Sequence, residues 1–157
     1  MNYRRYFLFG IMLIFPLLFS TWSAHASGGA WGMLNSGDVY DTTGMKLGSI
    51  DPITNEVSDQ SGNRIGTLDI NTNRLEGVVG NAILSIDTNL NYIYDGSGNR
   101  VGSIDTNINE IYGTSINPLG SLDSTGTVSV QGGGSIGSVP PGNYLAAFML
   151  LTHMFQN

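Results

Sequence analysis

The chain predicts an all-β fold, six short hairpins closed into a flower or barrel and followed by one short helix, and three observations predict it. Residues 38–143 repeat with a period of 18, each unit carries aliphatic side chains at three fixed positions, and turn-forming residues stand between them. The units begin at Asp38, Glu56, Arg74, Tyr92, Glu110 and Thr127, the fifth being one residue short. Equivalent pieces in series build a shared core in place of one set of unique catalytic positions.

The segment 1–26 stands apart from the repeats. Arg4 and Arg5 form a basic start, 7–19 is an almost unbroken apolar run, and Ala24-His25-Ala26 is a small-x-small cleavage site. These are the parts of a secretory signal peptide, cut after Ala26. The run is shorter than the roughly 20 apolar residues a spanning helix needs, and no cysteine exists to carry a lipid. Export to the periplasm, the cell surface or the medium is therefore expected. The mature chain, 27–157, is long enough for one domain. It holds four cations (Lys46, Arg64, Arg74, Arg100) against twelve carboxylates, a net charge of −8. Such a chain repels phosphate backbones, so nucleic acid is excluded as a partner class. Without cysteine, packing and backbone pairing must supply the stability that disulfides often give exported domains. A Gly-rich lead-in, 27–37, holds Trp31, the sole mature tryptophan.

Within each unit the second position is always aliphatic (Val39, Val57, Leu75, Ile93, Ile111, Val128). So is the tenth (Leu47, Ile65, Ile83, Val101, Leu119, Ile136) and the thirteenth (Ile50, Leu68, Ile86, Ile104, Leu122, Val139). Burying three such side chains cannot offset the entropy of ordering a whole unit, so the units must share a core. Between the second and tenth positions lie turns such as Asp59-Gln-Ser-Gly62-Asn63 and Asp95-Gly-Ser-Gly98-Asn99. Asp caps a type I turn and Gly takes the left-handed residue of a G1 bulge, which is hairpin chemistry. The second connection, Thr-Asn-x-Asn in the third and fourth units, is equally rich in turn formers, and twelve short strands result.

The tenth and thirteenth positions have opposite parity, which a regular strand would point to opposite faces. Gly follows the tenth position in five units (Gly48, Gly66, Gly102, Gly120, Gly137) and Leu84 in the third. A kink at this Gly, turning both aliphatics inward, is the expectation.

Twelve short strands in a row would expose two edges, so closure is favoured. The segments Val39-Tyr40-Asp41 with Gly44, Ile93-Tyr94-Asp95 with Gly98-Asn99-Arg100-Val101-Gly102, and Glu110-Ile111-Tyr112 resemble the β-flower repeat proteins, whose short hairpins form petals around an axis. The resemblance covers 38–143 and implies a shallow barrel or funnel behind an export signal, with no settled activity attached. The third unit departs from the pattern at Gly77 and the fifth at Ile116. A right-handed β-solenoid is the rival architecture, because a unit of this length also suits one coil. Strands of five or six residues are too short to span a bilayer as a barrel.

Candidates for chemistry are few. Asp69-x-Asn71-x-Asn73, Asp87-x-Asn89-x-Asn91 and Asp105-x-Asn107-x-Asn109 repeat the first three ligands of a calcium loop but lack its glycine and its bidentate Glu, so plain turns are preferred. Residues 132–137 match GxGxxG without the strand-to-helix setting that holds a dinucleotide, and no cofactor is expected. His25 leaves with the signal and His153 stands near the chain end, so no serine nucleophile has an evident base. The carboxylates are dealt one per unit as turn residues, and no enzymatic activity is expected. Tyr40, Tyr94 and Tyr112 share the third position of their units and offer a row for stacking on sugar rings or meeting a protein, or else pack across strands. The tail, 144–157, is apolar nearly all round over 144–155, with an N-cap at Asn143, and must be buried. The repeat domain's open end, another copy or a membrane surface can each cover it.

The resulting expectation is an exported, non-catalytic structural or binding module of the cell envelope or surface. Two alternatives are carried: a lipid- or glycan-binder using the mouth of the ring, and a weakly calcium-stabilised adhesion element.

Overall fold

The computed structural model describes residues 36–155. The expected signal peptide, Trp31 and most of the lead-in lie outside the described residues. Twelve strands follow in order: β1 (Gly37–Asp41), β2 (Lys46–Ile50), β3 (Glu56–Asp59), β4 (Arg64–Asp69), β5 (Arg74–Gly77), β6 (Ala82–Asp87), β7 (Tyr92–Asp95), β8 (Arg100–Asp105), β9 (Glu110–Tyr112), β10 (Pro118–Leu122), β11 (Thr127–Val130) and β12 (Ser135–Ser138). One helix, α1 (Tyr144–Leu151), ends the order. Every strand pairs antiparallel with its chain neighbours, and β1 pairs with β12 through Tyr40 opposite Ser138, which closes the barrel. Antiparallel pairing within and between units replaces the parallel coil-to-coil ladder a solenoid would show.

The turns form as their residues dictate. Gly44, Gly62, Gly80 and Gly98 take φ near +80° and donate their N–H to the carbonyl three residues back, as in Gly98 N to Asp95 O at 3.0 Å. The Asp side chain holds the other half: Asp95 Oδ1 accepts from Ser97 N and Asn99 N, both at 2.9 Å. In the second connections Asn55, Asn73, Asn91 and Asn109 take the left-handed residue with φ of 53–58°, a conformation Asn tolerates better than other side chains with a Cβ. The shortened fifth unit makes the same closure with Gly126 at φ 94°.

Register shows how the repeat fills the inside. Each second-position aliphatic stands opposite the eleventh position of its own unit, as Val39 opposite Gly48, Val57 opposite Gly66 and Ile93 opposite Gly102. Positions 2, 11 and 13 therefore face inward, and all six second-position and all six thirteenth-position side chains are buried. The tenth position is the surprise. It is the extra residue of a bulge, because the third position already pairs with the ninth, as Tyr94 does with Arg100. Ile65, Ile83, Val101, Leu119 and Ile136 are only partly buried against the core, and Leu47 alone of the six is fully buried. The bend expected at Gly thus sits one residue earlier, and Gly serves a different purpose. A Cβ on Gly66 would lie 2.1 Å from the Glu76 carbonyl oxygen of the next strand, and one on Gly102 would lie 2.7 Å from the Phe148 ring. The glycines let neighbouring backbone and the helix come close.

That helix fills the lumen. Asn143 caps it, its Oδ1 accepting from Ala146 N at 2.8 Å. Tyr144 through Leu150 are buried on every side, as an all-round apolar helix requires. Its C-terminus closes with His153 at φ 60°, His153 N donating to Leu150 O and Met154 N to Met149 O, a Schellman arrangement. The turn sends Phe155 back inside, where its ring lies against Gly48. Of the three covers open to the tail, the structure shows the chain's own barrel. Helix α1 packs nearest β10, β11 and β12, and Leu84, the one large residue at an eleventh position, stands on β6 in the wall opposite.

Candidate functional site

Helix α1 shares one buried core with the inward aliphatics of the ring, so the polar side chains of the repeats stand on the outer wall and the rims. The outer wall is set by the same register. Each twelfth-position Ser or Thr faces out between the first position of its own unit and the third position of the next. The six triplets are Asp38-Ser49-Ser58, Glu56-Thr67-Glu76, Arg74-Ser85-Tyr94, Tyr92-Ser103-Tyr112, Glu110-Ser121-Ser129 and Thr127-Ser138-Tyr40. Only the fourth has an aromatic ring on both sides of the small residue.

At that triplet the wall is hollowed into a groove of about 590 Å³ over β8. Tyr92 on β7 and Tyr112 on β9 are its sides, Ser103 its floor, and Arg100, Asp105 and Ile116 line it as well. Its size falls in the range of small-ligand sites. Arg100 is held flat: its guanidinium carbon lies 4.0 Å from the Tyr92 ring centroid, and Nη2 donates to Ser103 Oγ at 3.0 Å. Tyr92 is steadied in turn by the edge of Tyr94, with ring centroids 6.4 Å apart. The Tyr112 hydroxyl donates to Glu110 Oε2, and that bond to a carboxylate raises the phenol above its ordinary pKa. The fifth hairpin tip, which lacks the turn glycine, bends irregularly over 114–117 and brings Ile116 to the groove's edge, 93 % exposed.

Of the three tyrosines that share a position in the unit, the structure brings two to one region of the wall. Tyr112 lines the groove and Tyr94 braces it, but Tyr40 lies on β1, four strands from β9 and six from β7, where its hydroxyl donates to Asp38. Tyr92 and Arg100 carry no site signal in the sequence. Their positions in the unit, first and ninth, vary from repeat to repeat, and the strand register was needed to show which of them meet across β8.

The calcium-loop candidates are turns in structure. Asp69 Oδ1 accepts from Asn71 N, Asp87 Oδ1 from Asn89 N and Asp105 Oδ1 from Asn107 N, each near 3 Å. Backbone amide donors therefore already use the leading carboxylate oxygen. The third residues diverge: Asn73, Asn91 and Asn109 are left-handed, and Asn109 Oδ1 accepts from the Tyr144 hydroxyl at 2.6 Å. Among the described residues no three His, Asp or Glu side chains gather as a metal group.

Electrostatics follow from the same bonds. Hydrogen bonds from the Thr43 hydroxyl and the Met45 amide hold Asp41 below the ordinary carboxylate range, and the Asn63 side chain and amide do the same for Asp59. Asp51, Asp69, Asp95 and Asp123 are lowered in like manner by their turn partners. No family model, no curated protein and no solved structure matches this chain.

Proposed function

We propose that the chain is an exported, non-catalytic module of the cell envelope or surface, a rigid barrel that displays its outer wall for binding. The observation that carries this reading is the self-filled lumen: a closed ring whose interior is taken by its own C-terminus has only its exterior to offer. The acidic turns support it further. A carboxylate kept ionised by backbone donors is a poor proton donor, and each of these six is engaged with its own turn, so none is poised as a general acid. The outer wall carries Ser, Thr and charged residues along the triplets in place of the apolar band that a lipid-facing barrel needs.

Export is tested by expressing the full chain in a secreting bacterial host and measuring the mass of the protein found outside the cytoplasm. Loss of the segment 1–26 is expected. A full-length protein retained in the cytoplasm overturns the reading, as does turnover of any ester, peptide or glycoside substrate by the purified protein.

A further inference from the structure

We propose that the groove over Ser103 binds an uncharged carbohydrate segment, with one sugar ring seated against Tyr112 and its hydroxyls shared between Arg100 and Asp105. The proposal rests on the binding-module reading above and gives it a site and a ligand class.

The shape comes from register. Ser103 pairs with Tyr92 on one side and with Tyr112 on the other, so two rings stand on strands about 10 Å apart with a small floor between them. Flat apolar surface beside a polar floor is what a pyranose needs, since its faces present C–H groups and its edge presents hydroxyls. The two tyrosines divide the work. Tyr92 is covered by the Arg100 guanidinium and fixes it in place; among the described residues no ring or cation stacks on Tyr112. Tyr112 is therefore the platform.

The charges select a neutral ligand. Arg100 has no carboxylate partner among the described residues, the ion pairs being Lys46 with Asp38 and Arg64 with Glu56. Its planar group is pre-organised by Tyr92 and Ser103, with N–H donors to spare. Asp105 supplies an acceptor in the same groove. A cation and an anion in one groove give a singly charged ligand no net gain, and the mature chain's charge of −8 repels anions at a distance. Hydroxyl groups, which donate and accept at once, satisfy both partners.

The same triplet in the other units shows why this site is single. Glu56-Thr67-Glu76 places two like charges about the floor, and Glu110-Ser121-Ser129 has no ring at all. The repeat supplies six equivalent slots, and its side chains build aromatic walls on both sides of only one.

The test is calorimetric titration of the exported mature chain with three soluble hexamers: β-1,4-linked glucose, β-1,4-linked N-acetylglucosamine and α-1,4-linked galacturonate. Binding of at least one neutral hexamer is expected. Tyr112→Ala should weaken it about tenfold, the loss of one stacking contact, and Ser103→Leu, which fills the floor, should abolish it. Arg100→Lys, a surface change that keeps the charge and loses the planar group, should weaken it several-fold, and it serves as the second variant should Tyr112→Ala fail to fold. Tyr40→Ala, remote from the groove, should bind as wild type. Binding of galacturonate alone, binding indifferent to Ser103→Leu and Arg100→Lys, or no binding at millimolar hexamer overturns the proposal. The last result leaves the export and non-catalytic reading standing, because processing and turnover test that separately.

Discussion

The inner and outer walls of this barrel come from the same repeat and obey opposite rules. Inside, the second and thirteenth positions are aliphatic in all six units, and the eleventh is Gly in five. Outside, the first position runs through Asp, Glu, Arg, Tyr, Glu and Thr, and the third and ninth vary as freely. Close packing leaves the interior no latitude, since one methylene too many or too few is felt by every neighbour. The exterior bears no such constraint, so the repeats have diverged there. Function should be sought where equivalent units disagree, and the groove at Tyr92-Ser103-Tyr112 is such a place.

The largest break in this contrast comes from removing what the inner wall is built around. Truncation after Asn143 deletes Leu145, Phe148, Met149, Leu150 and Phe155, all buried. At about 1.5–3 kcal/mol per large apolar side chain, the loss rivals the entire stability of a typical domain. The truncated chain should show no cooperative melt by circular dichroism; a sharp transition near that of the full chain would mean the barrel stands without its plug. Next in size is Ile93→Ala on the inner wall, expected to cost about 2–5 kcal/mol in urea unfolding through cavity formation. Close behind is Gly66→Ala, whose Cβ would meet the Glu76 carbonyl at 2.1 Å. Backbone cannot yield as a side chain can, and a loss of about 1–3 kcal/mol is expected. Unchanged urea midpoints for either variant would show that the inner wall is looser than its register implies.

Acid acts on the rims, between the two walls. Asp41, Asp51, Asp59, Asp69, Asp95 and Asp123 have folded-state pKa values lowered below the ordinary value. The unfolded chain therefore binds protons first as pH falls, so their stabilisation is complete above about pH 5 and is lost as pH drops through and below the unfolded carboxylate pKa of about 3.9. Urea midpoints should be level from neutral pH to mild acid and decline below it. A midpoint that rises between pH 4 and pH 3 would contradict the turn-capping account. Smallest of all should be Ser121→Ala on the outer wall, within about 0.5 kcal/mol of wild type. A larger effect would mean that the outside is as constrained as the inside.

Much of the architecture was legible because its signals are local. Asp95 and Gly98 specify a type I turn with a left-handed residue wherever they occur, and Asn143 before an apolar run specifies a helix start; the structure has both. The bend was misplaced because parity along one strand shows only that something must break the alternation. Where it breaks depends on which residues lie opposite, and pairing Tyr94 with Arg100 makes Val101 the extra residue. The third unit's Leu84 looked like a lapse in the pattern. It stands opposite Leu75 and is buried in the common core with the other inward side chains. Tyr40, Tyr94 and Tyr112 share a position in the unit, whereas neighbours on a barrel are set by strand order, and that order separates Tyr40 from Tyr112.

What the amino-acid sequence determined by itself is therefore the unit: two short strands, two kinds of turn, an inward aliphatic set too small to stand alone, and a terminal helix with no polar face. Those properties follow from φ preferences, capping and hydrophobic period, which act over a few residues. Tertiary structure alone decided the register, the position of the bulge, the entry of the helix into the lumen and the meeting of Tyr92, Arg100 and Tyr112 across β8. Each of these depends on ring closure, which joins residues far apart in the chain and which no single unit encodes.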